Sequence, residues 1–335
     1  MNTALKKSLQ VVLFVAIFVV CYVYVGFALT PKNADDVGGE KFFQSTALYY
    51  EDKNTLDMLF CGNSDLRRGF VPTQFYEETG ITSYNGGQDK QSLKAILNQL
   101  NKVVKKQDLK VLALETDCFY WRNTEYTGTN VYNDIWWSAA YLYHSRWKDL
   151  EFKDFFQGTD YSDNFHKGYA YTHENSNFKL QDDFMKEVTN KCEKIEKSVL
   201  RDIEKIHKIC KKNNIEIFYF TIPSPNSWTI RKHNAVQALA DEYGVKYLDL
   251  NLPTTGFDFD YANNYMDWGN HCNYDGAKVV TSFVGQYIVD NFNLEDHRAD
   301  KKYAKWEKSK EKHKQYIEKQ KNKNDKKEKK QKSKS

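Results

Sequence analysis

The chain has 335 residues, 41% hydrophobic and 15% aromatic, enough apolar material for one large α/β domain or two small ones, which excludes a wholly disordered protein. Its formal net charge of +4 hides an uneven distribution, because residues 301–335 carry 16 Lys against 5 Asp or Glu and the remainder is net acidic. Six cysteines without CxxC spacing or a dense framework point to neither a zinc site nor a disulfide scaffold, and no metal or cofactor motif is present.

Residues 1–30 open with Lys6 and Lys7 and continue into an apolar run from Leu9 to Leu29. At 1.5 Å per residue that run spans roughly 30 Å, the thickness of a hydrocarbon core. Positive charge before it and the acidic "NADDVGGE" after it predict a single-pass anchor, N-terminus cytoplasmic and main domain extracytoplasmic. A signal peptide is the alternative, since Gly26 and Ala28 suit a cleavage site, but its apolar region would be unusually long.

Residues 31–50 read as a linker, and an α/β domain is expected over 51–298. Strand and helix signals alternate: strand 56–62, helix 71–80, strand 81–87, an amphipathic helix 91–106 and strand 109–117. Residues 118–185 break the rhythm as an aromatic-rich insert. A helix over about 184–213, strand 215–223, helix 230–244, strand 245–251 and a last helix near 274–292 complete the pattern. The fold class this predicts is α/β, three layers, a mostly parallel sheet flanked by helices. Cys61, Cys118, Cys192 and Cys210 fall in apolar patterns and read as core. The Lys-rich tail, 299–335, is expected to be disordered or partly helical, with nothing obliging it to pack.

Three pieces carry possible chemistry: "GNSDLRRG" (62–69), "YNGG" (84–87) and "DWGNHCNYDGA" (267–277). In an open α/β sheet, ligands gather at the carboxyl ends of strands, so these distant pieces can converge. A serine hydroxyl needs a base, and His271 preceded by Asp267 has the composition of an oriented base; the plainer alternatives are a turn at Ser64 and a capped helix near an ordinary histidine. Cys272, beside His271, is a weaker nucleophile candidate. Arg67 and Arg68 either bind an anion near Ser64 or pair with Asp65 or Glu115.

These motifs resemble the SGNH (GDSL-like) hydrolase superfamily, and particularly its membrane-anchored branch, which includes the lipoteichoic acid D-alanylation protein and accessory O-acyltransferases of envelope polymers. The resemblance covers 56–117 and 215–290. It implies Ser64 as nucleophile, His271 as base and Asp267 as orienting acid. It also implies an oxyanion hole from the Ser64 N–H and a glycine N–H, Gly86 or Gly87. Asn63, Arg67, Arg68 and Asp117 are the expected substrate contacts. Two departures stand out: "ETD" (115–117) replaces the family's asparagine, and Asp267 lies four residues before His271 rather than three.

The resemblance further implies an envelope glycan or teichoic acid as substrate and a membrane-bound O-acyltransferase as partner. Esterase and acyltransferase chemistry stay open, as does a fold that has lost catalysis and binds polymer. Trp121, Trp136, Trp137 and Trp147, with Tyr132, Tyr141 and Tyr143, read as insert core, sugar platform or membrane belt. The basic tail could suggest nucleic acid, but an extracytoplasmic location favours anionic polymer, headgroups or plain solvent.

Overall fold

The computed structural model describes residues 3–33, 41–121, 139–162 and 164–332. Strands β1 (Met58–Cys61), β2 (Ser83–Asn85), β3 (Val111–Glu115), β4 (Glu216–Thr221) and β5 (Lys246–Asp249) form one parallel sheet in the order β2-β1-β3-β4-β5. That order reverses direction between β1 and β3, so a crevice opens at their carboxyl ends.

Period-two alternation sends successive side chains to opposite faces, and both faces are covered. Met58, Phe60, Ala113, Phe218 and Phe220 face α3 (Ser64–Gly69), α4 (Pro72–Thr79) and α9 (Tyr274–Asn291). On that face Phe60 stacks on Phe70 at a centroid distance of 3.9 Å. Leu59, Leu112, Leu114 and Tyr219 face α5 (Leu93–Val103), α7 (Lys197–Lys212) and α8 (Ile230–Tyr243). Each helix offers a stripe at helical spacing: Val280, Val284 and Ile288 in α9, and Leu93, Ile96, Leu100 and Val103 in α5. Ser92 and Asn273 cap α5 and α9 by accepting from Ala95 N–H and Gly276 N–H.

Helix α1 (Thr3–Leu29) has 27 residues, about 40 Å of helix, and its side chains between Leu5 and Val25 are almost all exposed. It is long and apolar enough to cross a membrane, a description that a signal sequence near an N-terminus also meets.

Four features differ from the sequence reading. Residues 41–50 of the expected linker form α2 (Lys41–Ala47) and a short 3-10 turn, with Phe43, Ala47 and Leu48 buried. The helix expected over 184–213 begins only at Lys197; before it, residues 189–193 lie outside any helix, with Asn234 Nδ2 donating to the Thr189 and Lys191 carbonyls and Glu193 N–H donating to the Arg231 carbonyl. Cys192 in that segment is exposed, whereas Cys61, Cys118 and Cys210 are core. The tail forms α10 (Ala304–Lys332), and it does pack: Trp306, His313 and Ile317 are buried, with Trp306 against Tyr76. Trp306, His313 and Ile317, spaced along one helical face, hold a helix whose other faces are rich in lysine. Tyr132, Trp136 and Trp137 lie outside the described residues.

Candidate active site

Asn63 closes the β1 loop as the N-cap of α3, its Oδ1 accepting from Asp65 N–H at 2.9 Å. This puts Ser64 at the first helical position, above the sheet's carboxyl edge, with its hydroxyl half-exposed. His271 arrives from the loop before α9, and its Nε2 lies 2.8 Å from Ser64 Oγ. Its Nδ1 lies 2.5 Å from Asp267 Oδ2, while Asp267 Oδ1 accepts from His271 N–H at 2.7 Å. One carboxylate therefore fixes both the ring and the backbone of the same histidine.

The four-residue spacing is absorbed by two left-handed residues, Trp268 (φ 53°) and Gly269 (φ 87°). Such a φ is costly for a bulky residue, so the turn needs support from outside. Trp268 N–H donates to Ser176 Oγ at 2.8 Å, and Asn226 Nδ2 donates to the Trp268 carbonyl. A Cβ on Gly269 would lie 2.7 Å from the Phe178 ring, so only glycine fits there.

The cleft around these residues encloses about 400 Å³ and is lined by Asn63, Ser64, Asp65, Arg68, Asp117 and His271, among others. Ser64 and Arg68 are one helical turn apart on α3, which puts them on one face. Arg67 is not a cleft residue: its side chain is buried and pairs with Asp89 at 3.3 Å, neither with Asp65 nor with Glu115. A larger open groove of about 780 Å³ along α9, lined by Gln74, Phe257, Lys278 and Phe283, shares none of these residues.

The glycines expected to donate to an oxyanion have their N–H groups committed elsewhere. Gly86 N–H donates to the Phe60 carbonyl at 2.8 Å, extending the sheet, and Gly87 N–H donates to Asn85 Oδ1 at 3.1 Å. Their missing Cβ atoms serve packing: a Cβ on Gly87 would lie 2.9 Å from Arg67 N and from the Asn63 carbonyl oxygen. Asn85 is held in turn by donating to the Leu66 and Phe70 carbonyls.

"ETD" splits into two environments. Glu115 is fully buried outside the cleft, one oxygen accepting from Asp117 N–H at 3.0 Å. Burial, then the neighbouring Asp117 and Asp65, push its pKa well above the usual range and favour the neutral acid. Asp117 faces the cleft and accepts from Asn63 Nδ2 at 2.7 Å and Trp121 Nε1 at 3.1 Å, with Lys232 Nζ 3.7 Å away. Both sides of the crevice are thus tied together by a side-chain bond, and the Asp117 charge is compensated.

Asp65 is the residue that sequence reasoning placed only as an arginine partner. It is buried, one oxygen 3.6 Å from His271 Nε2 and the other accepting from Ser224 Oγ at 3.3 Å. Burial first, and Asp117 second, push its pKa up to about 7. For His271, burial opposes the charged ring, but the Asp267 bond and the charges of Asp65 and Asp267 outweigh it and raise the pKa. Cys272 is buried and burial pushes its thiol up, which removes it as a nucleophile. Ser227, Met266 and Asn270 also line the cleft; only their positions after β4 and beside His271 could have signalled them.

A parallel α/β sheet with a serine, a histidine and an aspartate hydrogen-bonded in series at its switch-point crevice defines the class of this protein. No family model and no curated protein matches the chain. Its structural neighbours are GDSL-like lipase and acylhydrolase structures. A Streptococcus pneumoniae structure described as a platelet activating factor is 14% identical, covering 75% of this chain and 92% of that one, with a TM-score of 0.40. A Bacteroides fragilis structure described as an acylhydrolase is 15% identical over 74% and 93%, TM-score 0.37. A GDSL-like lipase from Bacteroides thetaiotaomicron is 12% identical over 73% and 90%, TM-score 0.35.

Proposed function

We propose that the chain is a serine-dependent ester hydrolase or O-acyltransferase of the SGNH (GDSL-like) type, anchored by α1 and acting outside the membrane on an envelope polymer. The observation that carries the chemistry is the unbroken series Ser64 Oγ, His271 Nε2, His271 Nδ1, Asp267 Oδ2, at 2.8 and 2.5 Å. Ser64 Oγ attacks the acyl carbonyl as His271 Nε2 takes its proton; Asp267 holds the imidazolium until the leaving alcohol takes that proton. Water or a sugar or polyol hydroxyl, deprotonated by the same nitrogen, then releases the acyl group. With Gly86 and Gly87 committed, the developing oxyanion is left with Ser64 N–H at the start of α3 and the Arg68 guanidinium.

A polymer hydroxyl as acceptor, and a membrane-bound O-acyltransferase as acyl source, rest on the likeness to the anchored branch and on the apolar α1. A second reading, a polymer-binding fold without turnover, is favoured by one specific feature: a carboxylate, Asp117, stands where the oxyanion asparagine is expected.

The test is Ser64→Ala in the full-length chain, probed with an aryl acetate and a fluorophosphonate. Turnover should fall roughly 10³-fold or more and covalent labelling should vanish. Equal labelling and turnover in the variant would refute the acyl-enzyme reading; a wild-type chain that neither turns over nor labels supports the binding one.

A further inference from the structure

The segment 139–156 packs on the last turns of α1. A Cβ on Gly26 would lie 3.2 Å from Ala139 Cβ and 3.1 Å from Ala140 N, so the short helix α6 (Ala139–Leu142) crosses α1 at close range. Arg146 Nη1 donates to the Leu29 carbonyl at 3.1 Å, and Tyr24 Oη donates to the Phe155 carbonyl at 3.1 Å. Thr30 Oγ1 and Lys32 Nζ donate to the Gly26 and Phe27 carbonyls. Three of the last four carbonyls of α1, those of Gly26, Phe27 and Leu29, are therefore satisfied inside the protein, which helps this junction sit next to hydrocarbon.

The outward side of the same segment is aromatic. Tyr141, Trp147, Phe152 and Phe156 are exposed, Phe152 by 82% and Phe156 by 70%, and these two rings contact each other at 5.1 Å. Large apolar rings are normally covered, so a cluster left open in one place marks a surface with an occupant. Around them the charges balance: Arg146 and Asp154 pair inward, Lys148 lies over the Trp147 ring, and Lys153 pairs with Glu151. This neutral, ring-rich, amphipathic composition suits a headgroup layer better than a polyanion. Position agrees: the exposed apolar side chains of α1 run from Leu5 to Phe27, about 30 Å or a little more, and the rings stand beside the end of that run.

We propose that the aromatic surface of residues 141–156 is a membrane collar, seated in the headgroup region of the leaflet on the domain's side, around the emerging end of α1. It rests on the anchored reading of α1. Its consequence is a catalytic domain held at a set tilt on the bilayer instead of swinging on a linker.

Depth-dependent quenching tests it, using the full-length chain in vesicles of phosphatidylcholine and phosphatidylglycerol. In a Cys21→Ala, Cys192→Ser background, a fluorophore is attached at Val15→Cys, Phe156→Cys or Val188→Cys, and quenched by headgroup nitroxide lipid, chain-end nitroxide lipid or aqueous iodide. Val15 should respond most to the chain-end label and Val188 to iodide alone. Phe156 should respond to the headgroup label about threefold more than Val188 does. Adding Trp147→Ser and Phe152→Ser, both exposed positions, should return Phe156 to the Val188 pattern with Val15 still deep. If Phe156 matches Val188 from the start while Val15 is deep, the collar is wrong and the anchor stands. Iodide access at Val15 removes the anchor and the collar together. Shielding of Phe156 from lipid and iodide alike, seen only with a copurifying membrane protein, makes the occupant a protein and overturns the lipid assignment.

Discussion

Asp65 lies 3.6 Å from His271 on the side of Nε2, the nitrogen that also faces Ser64. The base of the candidate triad therefore has a carboxylate at each end, and only the one at Nδ1 serves orientation. When ionised, the second favours the imidazolium in the resting protein, where it would work against proton removal from Ser64.

Replacing that second carboxylate should shift the pH profile. His271 must be neutral to act as a base, and the Asp65 charge raises its pKa. Asp65→Asn should move the acid limb of kcat/KM for aryl acetate hydrolysis to lower pH. An unmoved acid limb would mean that the two groups are not coupled. Asp267→Asn should lower kcat roughly 10³- to 10⁴-fold, because it also loses the ring orientation.

Gly269→Ala tests the loop that accommodates the four-residue spacing. The added Cβ meets the Phe178 ring at 2.7 Å, at φ 87°. The expected cost is about 1–3 kcal/mol of local strain, which should displace His271 and lower activity while α9 and the sheet remain folded. Thermal unfolding with activity at a fixed temperature separates the two effects; full activity would show that the turn relaxes elsewhere.

The adjacent arginines should separate cleanly. Arg68→Ala should reduce turnover with little change in melting temperature, since its side chain lines the cleft. Arg67→Ala should instead lower stability, by about 1–3 kcal/mol, because a buried guanidinium and its packing are lost, together with its pair to the part-exposed Asp89. Equivalent behaviour of the two variants would contradict this division.

The packed tail should loosen in acid. His313 of α10 and His166 of the insert are both buried with their ring centroids 5.3 Å apart, and Tyr169 and Tyr316 pack on them. Burial lowers the His313 pKa to about 4 and that of His166 well below its ordinary value. For a histidine with a depressed folded pKa, the unfolded form binds more protons, so stability is full above about pH 6.5 and is lost as pH falls toward 4. His313 alone accounts for a loss on the order of 3 kcal/mol over that window. Hydrogen-exchange protection across residues 304–317, taken relative to the intrinsic exchange rate at each pH, should fall below pH 6, and His313→Phe should blunt the change. Protection that stays constant from pH 7 to 4 would rule it out.

Much of the scaffold was legible in the sequence because burial on both faces of a parallel sheet demands continuous apolar runs, as in "LDMLFC" and "IEIFYF", and α5 and α9 carry period-3.6 stripes. The helix expected at 184–196 failed for a tertiary reason: its carbonyls found donors on α8, and a local pattern cannot reveal that. The tail misled in the opposite direction, because its lysines dominate the composition while a few side chains such as Trp306 and Ile317 decide whether it packs.

The sequence by itself determined the parallel α/β alternation, the apolar N-terminal helix, and the three motifs that converge, since these follow from periodicity and from where loops lie in such a sheet. Only the tertiary structure decided which groups in those motifs face one another. It brought Ser64, His271 and Asp267 into hydrogen-bonding reach, took Gly86 and Gly87 out of the cleft, and turned Arg67 inward and Arg68 outward. It also set Asp65 against His271. The physical reason is range: apolar periodicity is written locally, whereas the partner of an N–H, a guanidinium or a carboxylate is chosen by whichever distant segment folding brings within about 3 Å.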